Sequence, residues 1–209
     1  MKHATQRLVR LVDMISVGVF ALQGAALAIQ ADLDLLGVMV LSFVASLGGG
    51  VARDLLIGDS PPQALKDWRY PALAIGVGAA TFILHGVIRE IPYGLLITLD
   101  AVGLGMAAMA GAEKSLNFGL HPFIAILIGG LNGSGGGVVR DILLNRPPVV
   151  LHADIYATAA MAGALVMVLT QRCGLRAGWA ASLGFAACVA LRLVSVWQHW
   201  SLPHAHPGL

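Results

Sequence analysis

The chain has 209 residues, of which 57% are hydrophobic and only 11% are charged, and its formal net charge is +2. A soluble domain carries about a quarter charged residues because it needs a polar surface. This composition therefore excludes most soluble folds and predicts a protein that faces hydrocarbon. The charge is also too small and too dispersed for a nucleic-acid partner.

Seven segments are long and apolar enough to be membrane helices, which need about 20 mostly apolar residues. They cover residues 11–29, 35–57, 70–88, 94–112, 122–144, 155–171 and 177–198. Since the connections between them are short, we predict a single membrane domain over residues 1–209. The predicted fold class is an all-α polytopic membrane protein with the lipid bilayer as its surroundings.

Lysine and arginine residues in the loops predict the orientation, because cytoplasmic loops carry an excess of both. If the N-terminus is inside, the cytoplasmic segments hold Lys2, Arg7, Arg10, Lys66, Arg69, Lys114, Arg172 and Arg176. The opposite side then holds only Arg89 and Arg146. We expect a multi-pass protein of a bacterial or archaeal inner (plasma) membrane with a cytoplasmic N-terminus.

The two halves of the chain are similar when the sequence is shifted by 87 positions. Gly48-Gly49-Gly50-Val51 falls on Gly135-Gly136-Gly137-Val138, and Arg53-Asp54 falls on Arg140-Asp141. Repeat 1 then spans 11–88, repeat 2 spans 94–173, and the helix at 177–198 lies outside both. Because three spans is an odd number, the second repeat enters from the opposite side, which predicts an inverted repeat of the kind found in transport proteins.

Each repeat has three consecutive glycines in its second helix: Gly48, Gly49 and Gly50, then Gly135, Gly136 and Gly137. Glycine in a helix costs about 1 kcal/mol relative to alanine. A run of three leaves every face of the helix bare, which favours a kink or an unwound turn. Close helix packing is the alternative. Unwound backbone at membrane depth lines a watery cavity or lies buried in protein, so three polar neighbours are candidate pore-lining residues: Ser46, Asn132 and Ser134.

Charged residues flank both glycine triplets. Repeat 1 contains Asp13, Arg53 and Asp54, and the same arrangement recurs in repeat 2 as Asp100, Arg140 and Asp141. Buried charges are stable only when they are paired, so we predict that each arginine is neutralised by an aspartate of its own repeat. Each cluster sums to a formal charge of −1, which favours cations. Whether these residues line a path or only pin the helices together is left open by the sequence.

The sequence contains none of the common catalytic patterns, such as HExxH, GxSxG, a P-loop or CxxC. His85, His121 and His152 are scattered without the spacing of metal ligands. We therefore expect no enzyme activity, no catalytic residue, no metal site and no cofactor apart from a permeant ion.

The twin Gly-Gly-Gly-x-x-Arg-Asp motifs, each followed by Pro-Pro, resemble the prokaryotic trimeric intracellular cation (TRIC) channel family. The resemblance covers nearly the whole chain, and this family is also described by a "glycine transporter" domain. It implies a homotrimer in which each subunit has its own pore for monovalent cations, chiefly potassium (K⁺ or Na⁺ as the permeant ion). It also implies that the second and fifth helices kink at the glycines and that the pore lies between the repeats.

The alternative function is a secondary transporter for glycine or another small zwitterion, with Arg53 or Arg140 holding the substrate carboxylate. Both functions fit an inverted repeat, so symmetry does not distinguish them. The net negative charge expected for each cluster favours the channel.

Overall fold

A computed structural model of the protein describes residues 2–88, 92–152 and 155–200, in which all regular structure is α-helical. Its helices are α1 (Lys2–Gln30), α2 (Leu35–Leu56), α3 (Gln63–Lys66), α4 (Arg69–Ile83), α5 (His85–Ile88), α6 (Tyr93–Asn117), α7 (Pro122–Leu143), α8 (Val149–His152), α9 (Ala157–Arg172) and α10 (Ala177–Trp197). The side chains of Lys2, Arg7 and His152, and the whole of Arg89, lie outside the described part, so the orientation stays a prediction.

Seven helices of the described chain have 15 or more residues, and each falls on one of the predicted segments. Five of them are long and apolar enough to cross a membrane: those at Arg10–Gln30, Leu35–Leu56, Gly94–Asn117, Pro122–Leu143 and Ala177–Trp197. By contrast, α4 and α9 have 15 and 16 residues, which is shorter than the roughly 20 residues of a typical span. The number of spans therefore remains a prediction.

The two repeats are inverted relative to each other. Gly49 in the middle of α2 lies against Asn132 of α7, and Ala45, one turn earlier, lies against Gly136, one turn later. The helices α2 and α7 are therefore antiparallel. Each half has the same order of elements, with two long helices, a single turn and a shorter helix, and α10 packs on α6 and α9 outside this pattern.

The backbone stays α-helical through both glycine triplets, so the expectation of an unwound turn is wrong. The glycines instead allow α2 and α7 to touch backbone to backbone. A Cβ atom on Gly49 would overlap the carbonyl oxygen of Asn132, and one on Gly136 would overlap that of Ala45. Small residues let membrane helices approach closely, and that packing explains Gly49, Gly135 and Gly136, where an added Cβ atom would come within 3.2 Å of the facing helix. A bend without unwinding stays a prediction.

Glycines elsewhere serve the same close packing. A Cβ atom on Gly24 of α1 would lie 2.7 Å from the carbonyl oxygen of Leu41 in α2. Its repeat counterpart Gly111 in α6 would place one 2.7 Å from the Cβ of Asn132 in α7. The pairs α1–α2 and α6–α7 are thus equivalent units, joined at the α2–α7 crossing.

Replacing Gly136 with alanine should destabilise the protein, because the new methyl group has to push α2 and α7 apart. Overpacking of this kind costs about 1–3 kcal/mol. Gly76 of α4 is the control, since a Cβ atom added there would have no other atom within 4 Å and alanine should add about 0.5–1 kcal/mol of helix stability. Unfolding midpoints in detergent should move in opposite directions. Equal midpoints for the two variants would contradict the crossing.

Candidate functional site

The first cluster is centred on Arg53, which is 2% exposed. Its Nη1 donates to Asp13 Oδ1 at 2.8 Å, and its Nε donates to Asp54 Oδ1 at 2.7 Å. These residues meet because Asp13 lies early in α1 and Arg53 lies late in α2, its antiparallel neighbour. The ion pairs predicted within repeat 1 are therefore present.

Two further elements of repeat 1 join this cluster. The hydroxyl of Tyr70, at the start of α4, donates to Asp13 Oδ2 at 3.1 Å. The backbone N–H of Gln63, at the start of α3, donates to Asp54 Oδ2 at 2.8 Å. Each carboxylate therefore has partners on both oxygens, as burial of a charge requires.

Lys114 enters the first cluster from the other repeat. Its Nζ lies 2.7 Å from Asp54 Oδ1 and 2.8 Å from Asp59 Oδ2, and its side chain is 17% exposed. Since Asp59 in turn pairs with Lys66, the three aspartates of the cluster are balanced by three cations, Arg53, Lys66 and Lys114. The net charge of −1 expected for this cluster is wrong, because that sum leaves out the end of α6.

The second cluster repeats the pattern of the first. Arg140, 3% exposed, donates from Nε to Asp141 Oδ1 at 2.9 Å, and its Nη1 lies 3.8 Å from Asp100 Oδ1. The hydroxyl of Tyr156 donates to Asp100 at 3.0 Å, and the N–H of Val149 donates to Asp141 Oδ2 at 3.0 Å. The ion pairs predicted within repeat 2 are also present.

Gln23 of α1 is inserted between Arg140 and Asp100. Arg140 Nη1 donates to Gln23 Oε1 at 2.9 Å, and Gln23 Nε2 donates to Asp100 Oδ1 at 2.8 Å. The amide explains why Arg140 stands 3.8 Å from Asp100 whereas Arg53 stands 2.8 Å from Asp13. A neutral amide thus links the repeats at this cluster, and an ammonium group links them at the first.

The three predicted polar residues are all buried. The hydroxyls of Ser46 and Ser134 donate to carbonyls of their own helices, those of Ser42 and Gly130. Asn132 Nδ2 instead donates to the carbonyl of Ala107 in α6 at 2.6 Å. Of the three, Ser46 and Asn132 line a cavity at the α2–α7 crossing.

Three cavities lie in the space between the repeats. The first-cluster cavity has a volume of about 280 Å³ and is lined by Arg10, Asp13, Arg53, Asp59, Tyr70 and Lys114, among others. The central cavity holds only about 20 Å³ and reaches from Asp13 and Arg53 of the first cluster to Gly49 and Asn132 at the crossing. The second-cluster cavity has about 330 Å³ and is lined by Gln23, Asp100, Arg140, Asp141, Arg146 and Arg192, among others. The first-cluster and central cavities share lining residues, whereas the second-cluster cavity shares none with them, so the two clusters lie on either side of a closed crossing.

A family model described as "Glycine transporter" matches residues 10–86 and 97–172, one segment in each half. The chain is 34% identical to a UPF0126 membrane protein of Vibrio cholerae, over 94% of this chain and 82% of that one. It is 33% identical to the UPF0126 inner membrane protein YadS of Escherichia coli K12, over 94% and 95%.

Solved structures of TRIC channels have the same fold. The TRIC trimeric intracellular cation channel orthologue from Rhodobacter sphaeroides superposes with a TM-score of 0.87 at 35% identity, covering 91% of this chain and 98% of that one. A second structure, of a TRIC cation channel, gives 0.86 at 32% identity, covering 96% and 98%. The chain belongs to the TRIC family.

Within this TRIC fold, sequence reasoning missed the two residues that reach across the repeats and the tyrosine of each cluster. The loop charges place Lys114 in a cytoplasmic segment, and the motifs single out none of Gln23, Tyr70 and Tyr156. The two tyrosines could have been found, because they lie 86 positions apart in equivalent places. Lys114 and Gln23 have no such signal, since their repeat counterparts are Leu27 and Ala110.

Replacing Arg140 with methionine should destabilise the protein more than replacing Arg53 with methionine. Both changes remove a buried ion pair, which typically costs about 3–5 kcal/mol. Without Arg53, Asp54 keeps Lys114 as a cation, whereas without Arg140 no cation of the described residues pairs with Asp141. Chemical unfolding in detergent would measure the difference. Arg172→Met, at an exposed position, is the control, and a loss as small as that of the control would contradict the pairing.

Asp59, in the loop after α2, predicts a pH effect. Hydrogen bonds from Lys114 and Lys66 hold the pKa of Asp59 below its ordinary value. A carboxyl whose pKa falls on folding stabilises the fold above its unfolded pKa of about 3.9, and the stabilisation is lost as the pH falls through the lowered pKa. Asp59→Asn should therefore weaken the dependence of unfolding free energy on pH below about pH 4. An unchanged acid profile would argue against these hydrogen bonds.

Proposed function

We propose that this protein is a cation channel whose permeation path runs between the two inverted repeats. The observation that carries this proposal is the pair of cavities lined by buried charged residues at the two clusters, with the central cavity and the closed glycine crossing between them. Ionisable residues within a membrane domain mark ion paths, because their burial in hydrocarbon is otherwise costly. Similarity to TRIC cation channels at 32% and 35% identity supports the same function.

In this proposal, the described conformation is closed. A cavity of about 20 Å³ at the crossing has room for about one water molecule, which is too little for a hydrated cation. The ring of Phe20 lines this cavity and packs on Gly103 of α6, towards the second cluster. Opening therefore requires α2 and α7 to separate or the Phe20 ring to move.

The cation preference rests on carboxylate oxygens and not on net charge. Lys114 and Lys66 together neutralise the first cluster, so the cluster does not attract cations by an excess of negative charge. Separation of the repeats would withdraw Lys114 from Asp54 and Gln23 from Asp100. The aspartates would then present free oxygens to a monovalent cation, for which we propose K⁺, or Na⁺, as the permeant ion.

The proposed assembly is a homotrimer in the bacterial or archaeal inner (plasma) membrane, with the N-terminus inside and a separate path in each subunit. A trimer is what the name of the Rhodobacter sphaeroides relative states for that protein. The path needs no catalytic residue, no metal site and no cofactor. We propose that the charged residues of both clusters, together with Ser46 and Asn132, face it when it opens.

A secondary transporter for glycine or another zwitterion is the second candidate, and the description of the matching family model favours it. It would need a free guanidinium to hold the substrate carboxylate. Arg53 and Arg140 both donate to aspartates in the described structure. The channel is therefore the better-supported function.

Potassium flux from proteoliposomes tests the proposal. Wild-type protein should carry K⁺ without any amino acid, and Phe20→Ala should increase the flux, because removal of the ring widens the path next to the crossing. Phe123→Ala is the control, since Phe123 is 60% exposed on α7 and should leave the flux unchanged. Size-exclusion profiles would confirm that both variants are folded. Saturable glycine uptake driven by an ion gradient, with no K⁺ current, would establish the transporter instead.

A further inference from the structure

Arg192 is a buried cation on α10, the helix outside both repeats. It is 7% exposed, and its guanidinium carbon lies 4.9 Å from the centre of the Tyr156 ring. Its Nη1 makes one long hydrogen bond, 3.4 Å, to the carbonyl of Ile155. In the described part of the chain, Arg192 Nε is the one buried side-chain nitrogen or oxygen without a hydrogen-bond partner.

This arrangement is costly because an arginine cannot escape its charge by losing a proton. The carboxylates among the described residues that line the same cavity are already engaged. Asp141 accepts from Arg140 and the N–H of Val149, and Asp100 accepts from Gln23 and Tyr156. Within the described ranges no carboxylate forms an ion pair with Arg192. A buried charge of this kind normally has a partner.

The first-cluster cavity provides the contrast. Each of three cations that line it pairs with a carboxylate: Arg10 with Asp67, Arg53 with Asp13, and Lys114 with Asp59. Among the described residues, the cation without a carboxylate partner therefore lies at the other end, where Arg192 and Arg146 line the second-cluster cavity. The two cavities are similar in volume, so what favours an anion at this end is the uncommitted donor of Arg192.

We propose that the second-cluster cavity binds a phosphate group against Arg192, with Arg146 at its mouth as a second contact. The planar guanidinium presents its donors as a fork that matches phosphate oxygens. The cavity of about 330 Å³ lies within the usual size range of ligand pockets, about 300–1,000 Å³. Its other walls include Leu27, Leu96 and Ile97, which suit the glycerol or acyl part of a lipid. The phosphate belongs either to free inorganic phosphate or to an anionic phospholipid.

The position of Arg192 on α10 allows the phosphate group to come from a lipid headgroup as well as from free phosphate. Trp197 and Trp200, just beyond Arg192, are 77% and 48% exposed, and exposed tryptophans mark the interface between membrane and water. Arg192 thus lies about a turn and a half below that interface, by the α-helical repeat. The proposal concerns binding alone and does not depend on whether the protein is a channel.

Thermal unfolding of the full-length protein in a nonionic detergent tests this proposal. One series compares sodium phosphate with sodium chloride at equal ionic strength. A second compares short-chain phosphatidylglycerol with short-chain phosphatidylcholine. A ligand that binds only the folded state raises the unfolding midpoint with its concentration. We expect Arg192→Met to weaken this binding by at least about tenfold, as loss of a buried charge pair predicts, and Arg172→Met, an exposed arginine outside the cavity, to leave it unchanged.

The two series of unfolding measurements distinguish free phosphate from a lipid headgroup as the ligand. A rise with inorganic phosphate assigns a free anion, and a rise with phosphatidylglycerol alone assigns a lipid headgroup. No rise with either probe, or a rise of equal size in Arg192→Met, overturns the proposal. If Arg192→Met does not fold, Arg192→Lys decides, because lysine keeps the charge without the fork. That variant should bind the effective probe more weakly than the wild type, and equal binding would contradict the site.

Discussion

The contact between the α2 and α7 backbones at the two glycine triplets is the constraint on which the rest of the structure depends. Gly49 and Gly136 have no side chain to hold the helices apart, so each helix lies against a carbonyl oxygen of the other. Because the helices are antiparallel, this single crossing carries the arginine of α2 to one end of the inter-repeat space and the arginine of α7 to the other. The narrow central cavity and the two wider ones beyond it follow from the same crossing.

Burial of charge explains why the elements of each repeat pack around its arginine. Arg53 and Arg140 are nearly inaccessible to solvent, and the low dielectric of such a place makes an unpaired charge expensive. Each arginine therefore forms ion pairs with an aspartate from the first helix of its repeat and with one from its own helix. A tyrosine and a backbone N–H from the third helix region saturate the same carboxylates. The four elements of a repeat thus meet at one arginine and its two aspartates, so the ion pairs also set the tertiary structure of the repeat.

The duplication and the buried ion pairs can be predicted from the sequence. The features that cannot be predicted from it have a physical reason. The constant offset of 87 residues predicted the duplication, and the cost of buried charge predicted the partners of Arg53 and Arg140. The unwound turn expected at the glycines was wrong, because a run of three can serve unwinding or close approach, and only the position of the neighbouring backbone distinguishes them. Lys114 and Gln23 were missed for a related reason. Their partners lie in the other repeat, at positions where the duplication has lost its symmetry.

That loss of symmetry makes the two ends of the inter-repeat space physically different. At the first cluster the repeats are joined by Lys114, whose ammonium bonds two carboxylates. At the second they are joined by Gln23, a neutral amide. Hydrogen bonds to charged groups contribute about 1.5–3 kcal/mol net, and every bond of both links involves a charged group. The two links therefore differ chiefly in charge, and the neutral one lies at the end beside which α10 places Arg192. A helix outside the duplication thus adds its buried charge at the end where the link between the repeats is neutral.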